Sequence, residues 1–421
     1  MPELDRFDVV VVGAGPAGLA AANAAAGFGA RVALIDENEL PGGQIYRASR
    51  GSISASVREV IEDLSKKSVV RFDGSTVFEA PSDGVLRLWG PRGTQDIGYR
   101  SLVLAVGGRE LFLPFPGWTL PNAMGIGGLQ ALVKAGLDVR EKRVVVAGTG
   151  PLLLAVGAYL LEHGARVPII LEQAPLKDLA LFGAGLVRYP AKIGQGISLG
   201  RHIATRLRAG AWVERAEGSR AVESVTWRKG GKSFQTECDF LACAYGFVPN
   251  VELPQLLGCE IQDGFVKVDD QQLTSVKGVF CAGEPTGIGG VDLSQVEGRI
   301  AGLVAIGQDD QAEALFGKRE SWKRFARSMD RAFALRHELM ELSTPDTIVC
   351  RCEDVRAGDL VAWESSRTAK LQTRCGMGPC QGRICGPATQ KLFGWTQGSV
   401  RPPLSPVPLS ALGRPLDEIE N

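Results

Sequence analysis

The 421-residue sequence predicts an α/β fold: two Rossmann-like dinucleotide-binding domains, the second inserted in the first, followed by a small C-terminal α-rich domain that carries a cysteine cluster. Three observations lead there. Val9 to Val12 and Val144 to Ala147 are short apolar runs of strand type, each followed by a glycine motif, an apolar helical stretch and Gly-Ala-Arg-Val, at 29–32 and 164–167. The 53 glycines are about 13% of the chain against a usual ~7%, an excess that needs a backbone reason. Nine cysteines are too few for a disulfide scaffold of this length, and five of them lie between residues 350 and 385, the crowding of a metal site.

Composition narrows the function classes. Lys plus Arg and Asp plus Glu are 47 each, so no basic field collects nucleic acid or anionic lipid, and no nucleic-acid partner is expected. The first residues show no basic region followed by an apolar stretch and a small-residue cleavage site, and nowhere do about 20 uninterrupted apolar residues occur. The expectation is a cytoplasmic protein with no transmembrane segment and with reduced cysteines.

Along the chain, residues 1–115 read as the first part of the first nucleotide domain, 116–245 as the inserted domain and 246–310 as the return to the first. Residues 311–343, charged and nearly free of glycine and proline, read as a helical connector. The cysteine domain takes 344–400, and 401–421 form a proline-rich tail opened by Arg401-Pro402-Pro403.

Each element has a chemical reason. In Gly13-Ala14-Gly15-Pro16-Ala17-Gly18, Gly13 permits the tight turn, Gly15 lets a pyrophosphate approach the backbone, and Gly18 lets the helix pack closely. Pro16 and Ala17 open the helix, whose N-terminus offers N–H donors to phosphate. Asp36, 23 residues after Gly13 and followed by Glu37, ends the next strand, where an acid accepts from the adenosine ribose. A distant strand, Val279 to Ala282, runs into Gly283-Glu284, placing a carboxylate for a flavin's ribityl hydroxyls; Gly287 to Val291 then starts a helix, with Gly290 and Val291 at its N-terminus facing the flavin pyrimidine. FAD is therefore the expected cofactor, with Gly107, just past the strand Leu102 to Val106, counted in the site.

The second glycine motif keeps Gly148, Gly150 and Pro151 but has Leu153 at the third glycine position. By residue count the place of Asp36 falls on Leu171, with the acid one residue on, at Glu172. NAD(P), another adenine nucleotide and a purely structural domain stay open for it.

No cysteine precedes Cys238, so no redox-active pair accompanies the first nucleotide site, and Cys238, Cys243, Cys259 and Cys281 read as small buried hydrophobes. His163, His202 and His337 sit in no motif. Cys350-Arg351-Cys352 and, 22 residues on, Cys375, Cys380 and Cys385 supply the thiolates of a [2Fe-2S] cluster; four-thiolate zinc more often uses two C-x-x-C knuckles, absent here. Cys350, Cys352, Cys375 and Cys380 are the expected ligands, with Cys385 a spare on the following helix.

Residues 5 to 305 resemble the two-dinucleotide-domain flavoprotein reductases, with Glu284 where that family usually has Asp. The stretch Arg374 to Arg383 resembles the bacterioferritin-associated-ferredoxin type of [2Fe-2S] domain. Together they are similar to the A (alpha) subunits of bacterial opine oxidases, the related hydrogen cyanide synthase subunit, and dye-linked proline and hydroxyproline dehydrogenases. Pro41-Gly42-Gly43-Gln44-Ile45-Tyr46-Arg47, which the resemblance places along the isoalloxazine, also matches that group. The resemblance implies an electron-relay subunit. Substrate would be oxidised by a separate glycine-oxidase-like flavoprotein beta subunit with its own FAD, with FMN between the subunits. Electrons would leave to a quinone, dye-like or ferredoxin acceptor, which could bring the protein to the membrane periphery. No arginine and tyrosine clamp or acid and base pair suggests substrate oxidation in this chain, so no catalytic residue is assigned. A self-sufficient NAD(P)H-dependent reductase, with Glu172 holding the nucleotide, and an iron–sulfur sensor or scaffold are the alternative readings.

Overall fold

The computed structural model describes residues 4–46, 55–67, 69–396 and 400–413; Arg47 and the tail beyond 413 lie outside them. The chain divides into two compact units, Met1–Arg109 with Pro249–Ala326 and Ser399–Asn421, and Glu110–Val248 with Arg327–Gly398.

The first unit is built on a strand, Asp5–Val12, whose Val9, Val10 and Val11 have no exposure. A continuous apolar run suits a parallel strand covered on both faces. It pairs in parallel with Val32–Asp36 on one side and Gly93–Leu104 on the other, and Val69–Asp73 extends the first side. The long strand Gly93–Leu104 then serves two neighbours. Its first half meets the antiparallel ribbon Thr76–Ser82 and Val85–Gly90, and its last residues, Leu102 to Leu104, pair in parallel with Val279–Cys281. The chain thus leaves this unit after Arg109 and returns to finish the same sheet.

Side chains alternate across that sheet as strand geometry requires, Val9 and Val11 into one core, Val10 and Val12 into the other. The first of these cores is roofed by the alanine-rich helix Pro16–Ala26, against which the helix Gly290–Val304 packs without side chains between them. A Cβ on Gly298 would stand 2.0 Å from the Ala17 carbonyl oxygen, and one on Gly302 2.3 Å from that of Ala21.

In the second unit, Val144–Gly148, Ile170–Glu172, Leu207–Ala209, Phe240–Ala244 and Ala123–Gly125 form one parallel sheet. Ala211–Glu217, Ser224–Lys229 and Lys232–Glu237 form a separate antiparallel one. The C-terminal cysteine segment belongs to this unit and is built into its core. Leu335, Leu339, Met340 and Leu342 pack with Trp118, Trp212 and Tyr245. Trp118 Nε1 donates to the Ile348 carbonyl at 2.5 Å, and the Ser343 hydroxyl to that of Pro114 at 2.8 Å. A short hairpin, Ile348–Cys350 with Val355–Arg356, and two helices, Ser366–Thr373 and Cys385–Phe393, complete the cysteine segment.

The helix contact makes a stability prediction. Gly298→Val inserts three carbons where a carbonyl oxygen already lies, and urea unfolding is expected to show a loss of about 3 kcal/mol. Gly317→Ala, on a helix with no atom within 4 Å of the added carbon, is expected to change stability by at most about 1 kcal/mol, and to raise it.

Candidate functional site

The first glycine motif is forced by close approaches. Gly13 has φ +103°, and a Cβ there would meet the Ala105 carbonyl oxygen at 2.2 Å. A Cβ on Gly18 would stand 1.7 Å from the Gly13 carbonyl oxygen. Gly15 is different, because the nearest atom to its missing Cβ is Gly43 Cα at 3.9 Å, leaving open space in front of the backbone. Gly15 is also the N-cap of the helix Pro16–Ala26 and brings no side-chain cap, so first-turn N–H groups stay available to an anion. Gly42 N–H donates to the Ala14 carbonyl at 2.8 Å, holding the segment of Gly42, Gly43, Gln44 and half-exposed Ile45 beside this loop.

Asp36 is buried, and its oxygens accept from the protein itself: from Ala14 N–H at 2.5 Å, and from the backbone and side-chain amides of Asn38 at 2.8 Å each. Asp36 braces the loop, while Glu37 beside it is exposed. At the far side of the sheet, Gly107 has φ +66°, and its carbonyl accepts from Asn250 N–H at 3.0 Å. Gly283, at φ +81°, lies against Ala17, and Glu284 Oε1 accepts from Gly290 N–H at 3.1 Å, at the start of the helix that also carries Val291. Two helix N-termini, an open glycine and flanking acids are the donors and acceptors that a flavin dinucleotide needs.

One residue is not signalled by any motif. Glu297, 3% exposed, accepts from Gly283 N–H and the Thr286 hydroxyl, both at 3.0 Å, and burial pushes its carboxyl up to about 7. Its one trace in the sequence is an acid on the buried stripe of the helix, between Leu293 and Ile300.

At the second glycine motif the register corrects the residue count. Glu172, not Leu171, lies opposite Gly148, as Asp36 lies opposite Gly13. Pro168 is the reason, since the strand starts only at Ile170 and the chain reaches the strand end one residue later. The carboxylate is closed off, however. Glu172 is 3% exposed and accepts from Gly150 N–H at 2.8 Å, Ala174 N–H at 2.8 Å and the Thr149 hydroxyl at 2.9 Å, and burial pushes it up to about 7. The segment after the long helix Phe316–Ala332 lies against the same loop. Gln173 donates to the Ala334 carbonyl and accepts from Arg336 N–H, both at 3.1 Å, and Phe333 packs edge-on to Phe182. Leu153, fully buried, fills the third glycine position, and Pro151 opens its helix as Pro16 does.

Cys238, Cys243, Cys259 and Cys281 are buried singly, and burial pushes Cys238 up to about 12. The other five gather. Cys350 ends a strand, Cys375 follows the left-handed Arg374 that closes the helix Ser366–Thr373, and Cys385 starts the helix Cys385–Phe393. The Sγ atoms of these three buried residues all lie within 4.8 Å of one another. Cys385 therefore does not stand apart as a spare thiol. Gly382, at φ +78°, and the Gly386 N–H bond to the Gly382 carbonyl turn the chain back, aiming the start of the helix at Cys350. Cys352, exposed, and Cys380, half-buried, form a second pair with hydrogen-bonded thiols. Gly378 allows it, since a Cβ there would stand 2.2 Å from that of Cys352. Hydrogen bonds from the Cys375 and Cys385 thiols, then from Gly376 and Glu353 N–H, hold the Cys350 thiol well below its usual range. Such a set of soft donors fits iron–sulfur or zinc.

Comparison with known proteins agrees with this geometry. The family model described as pyridine nucleotide-disulphide oxidoreductase matches residues 7–299. Hydrogen cyanide synthase subunit HcnB of Pseudomonas protegens is 32% identical, over 96% of this chain and 96% of its own. The A (alpha) subunit of opine oxidase from Rhizobium meliloti (strain 1021) is 31% identical, over 99% of this chain and 100% of its own. The structure of L-proline dehydrogenase from P. horikoshii shares the fold at 20% identity, with a TM-score of 0.71 over 98% of this chain and 81% of that one. The glycine-forced cradle, the cysteine cluster and these matches make the chain a flavoprotein oxidoreductase of the pyridine nucleotide-disulphide oxidoreductase family.

Proposed function

We propose that the chain is the flavin and [2Fe-2S] electron-transfer component of a heteromeric amine or amino-acid dehydrogenase acting on CH–NH donors of opine, proline or hydroxyproline type. The observation that carries this reading is the second nucleotide site, where Glu172, Thr149 and Gln173 are bonded to the chain itself. Reducing equivalents then come from a protein partner and not from a pyridine nucleotide. The relatives named as subunits of opine oxidase and hydrogen cyanide synthase support that arrangement. The partner is a glycine-oxidase-like flavoprotein beta subunit, with FMN at the interface, and the acceptor is a quinone, dye or ferredoxin.

Gly13, Gly15 and Gly18 with the first helix hold the FAD diphosphate, Glu37 takes the ribose role, Gly42 to Ile45 and Gly107 border the ring, and Glu284 with Gly290 and Val291 take the ribityl chain and pyrimidine. When bound, FAD converts an electron pair into the single electrons that an iron–sulfur cluster passes on. Cys350, Cys352 and Cys380 are three of the cluster's ligands. Cys375 and Cys385 compete for the fourth place, each separated from Cys380 by four residues.

Two measurements test this. Stopped-flow mixing with micromolar NADH or NADPH is expected to leave the flavin oxidised on the timescale of turnover, whereas substrate plus a co-expressed beta subunit reduces it. Rapid bleaching by the nucleotide alone overturns the relay reading. In anaerobically prepared protein, serine at 350, 352 or 380 is expected to abolish the reduced-state EPR signal of the cluster. Of Cys375→Ser and Cys385→Ser, one is expected to abolish it and the other to leave it. Loss in both variants, loss in neither, or zinc without iron overturns the four-thiolate assignment.

A further inference from the structure

Glu297 sits two turns into the helix Gly290–Val304, beneath the loop that runs from Gly283 to Gly290. A single oxygen, Oε2, accepts from both Gly283 N–H and the Thr286 hydroxyl. The Thr286 oxygen also lies 2.9 Å from the Gly283 carbonyl. A hydroxyl has one proton and serves one of these acceptors at a time. With Glu297 ionised it serves the carboxylate, and with Glu297 protonated it turns to the carbonyl. The loop therefore has two hydrogen-bonded states separated by one proton. The same loop carries Glu284, bonded to Gly290 N–H at the flavin-facing end of the helix.

The surroundings keep the two states close in energy. Burial disfavours the carboxylate, and the Gly283 and Thr286 hydrogen bonds favour it; Lys323 and Arg319, from the helix Phe316–Ala332, favour it further. Arg319 is almost wholly buried and bonded to Asp270. Cys281, on the strand leading into the loop, faces the carboxyl with an un-ionised thiol, its own proton held by burial. An electron pair arriving on a nearby flavin adds negative charge to a site of low dielectric, which favours protonation of any carboxylate there.

We propose that Glu297 is a proton-accepting positioning residue for the flavin. When the flavin held by this loop takes up an electron pair, Glu297 takes a proton from solvent, and the Thr286 hydroxyl moves from the carboxylate to the Gly283 carbonyl. The electrons come from the reduced flavin of the partner subunit, or from dithionite in a titration. The proton comes from water and forms the carboxyl O–H bond, and no other bond in the protein changes. This role rests on the reading that FAD occupies the Gly13 to Gly18 cradle.

The test is a spectroelectrochemical titration of the flavin in the holoprotein and in Glu297→Gln, which keeps the shape and removes the proton site. The slope of midpoint potential against pH counts protons taken up per electron pair. In the native protein that count is expected to rise by up to one above pH about 7, where the oxidised protein has lost the Glu297 proton. In Glu297→Gln the rise is absent. Equal slopes in two flavin-loaded proteins overturn the role of Glu297 alone, and native protein that purifies without flavin overturns the cofactor reading and this role with it. A second measurement needs no flavin. A carboxyl raised from 4.5 to about 7 binds its proton more tightly folded than unfolded, so it makes unfolding easier as pH rises across that window. The stability of native protein relative to Glu297→Gln is therefore expected to fall from pH 4.5 to about 7 and then level off. A pH-independent difference overturns the buried proton site.

Discussion

The carbonyl oxygen of Gly13 occupies the space in which any side chain on Gly18 would begin. That contact draws the first helix down onto the first strand, and much of the first unit is arranged around it. Ala17, next to Gly18, touches Gly283 on one side and Gly298 on the other, and Ala21 touches Gly302 one turn on. Four elements distant in sequence meet through missing side chains. A glycine costs conformational entropy on folding, so each is retained only where approach distance matters more. Here approach distance fixes where the helix N-terminus points, and with it the place of a diphosphate.

In the second unit the same constraint is relaxed. Leu153 fills the third glycine position, so its helix cannot sit on its strand in the same way. Gly150 takes φ +99° where Gly15 takes −76°. The strand, turn, helix and acid all persist, yet the acid's hydrogen bonds are answered from inside the protein. The fold has been kept while the site has been filled, an instance of function residing in particular side chains and not in the architecture.

Sequence patterns expose the features that depend on local spacing. Strand, glycine turn and helix follow one another within a few residues, and Gly283-Glu284 is legible because a strand leads straight into it. Features that depend on register or on distant partners stay hidden. Pro168 delays a strand by one residue, which a count from Gly148 cannot detect. Glu297 lies among apolar neighbours and signals itself only through the helical period. Cys385 reads as a spare because spacing alone does not reveal that Gly382 reverses the chain. The closing of the second site by residues 333–336 joins segments more than 150 positions apart, beyond the reach of any local pattern.

The long strand Gly93–Leu104 also bears on the order in which the chain folds. Its last three residues are paired on one side with the first strand, but their other neighbour, Val279–Cys281, is encoded after the whole inserted domain. As the chain emerges during synthesis, the backbone N–H and C=O groups along that side stay unpaired until residue 281 appears. An apolar strand waiting with an open edge is a template for wrong pairing between nascent chains. A slow translation step between residues 110 and 278 would therefore endanger the first unit, whose missing strand it delays.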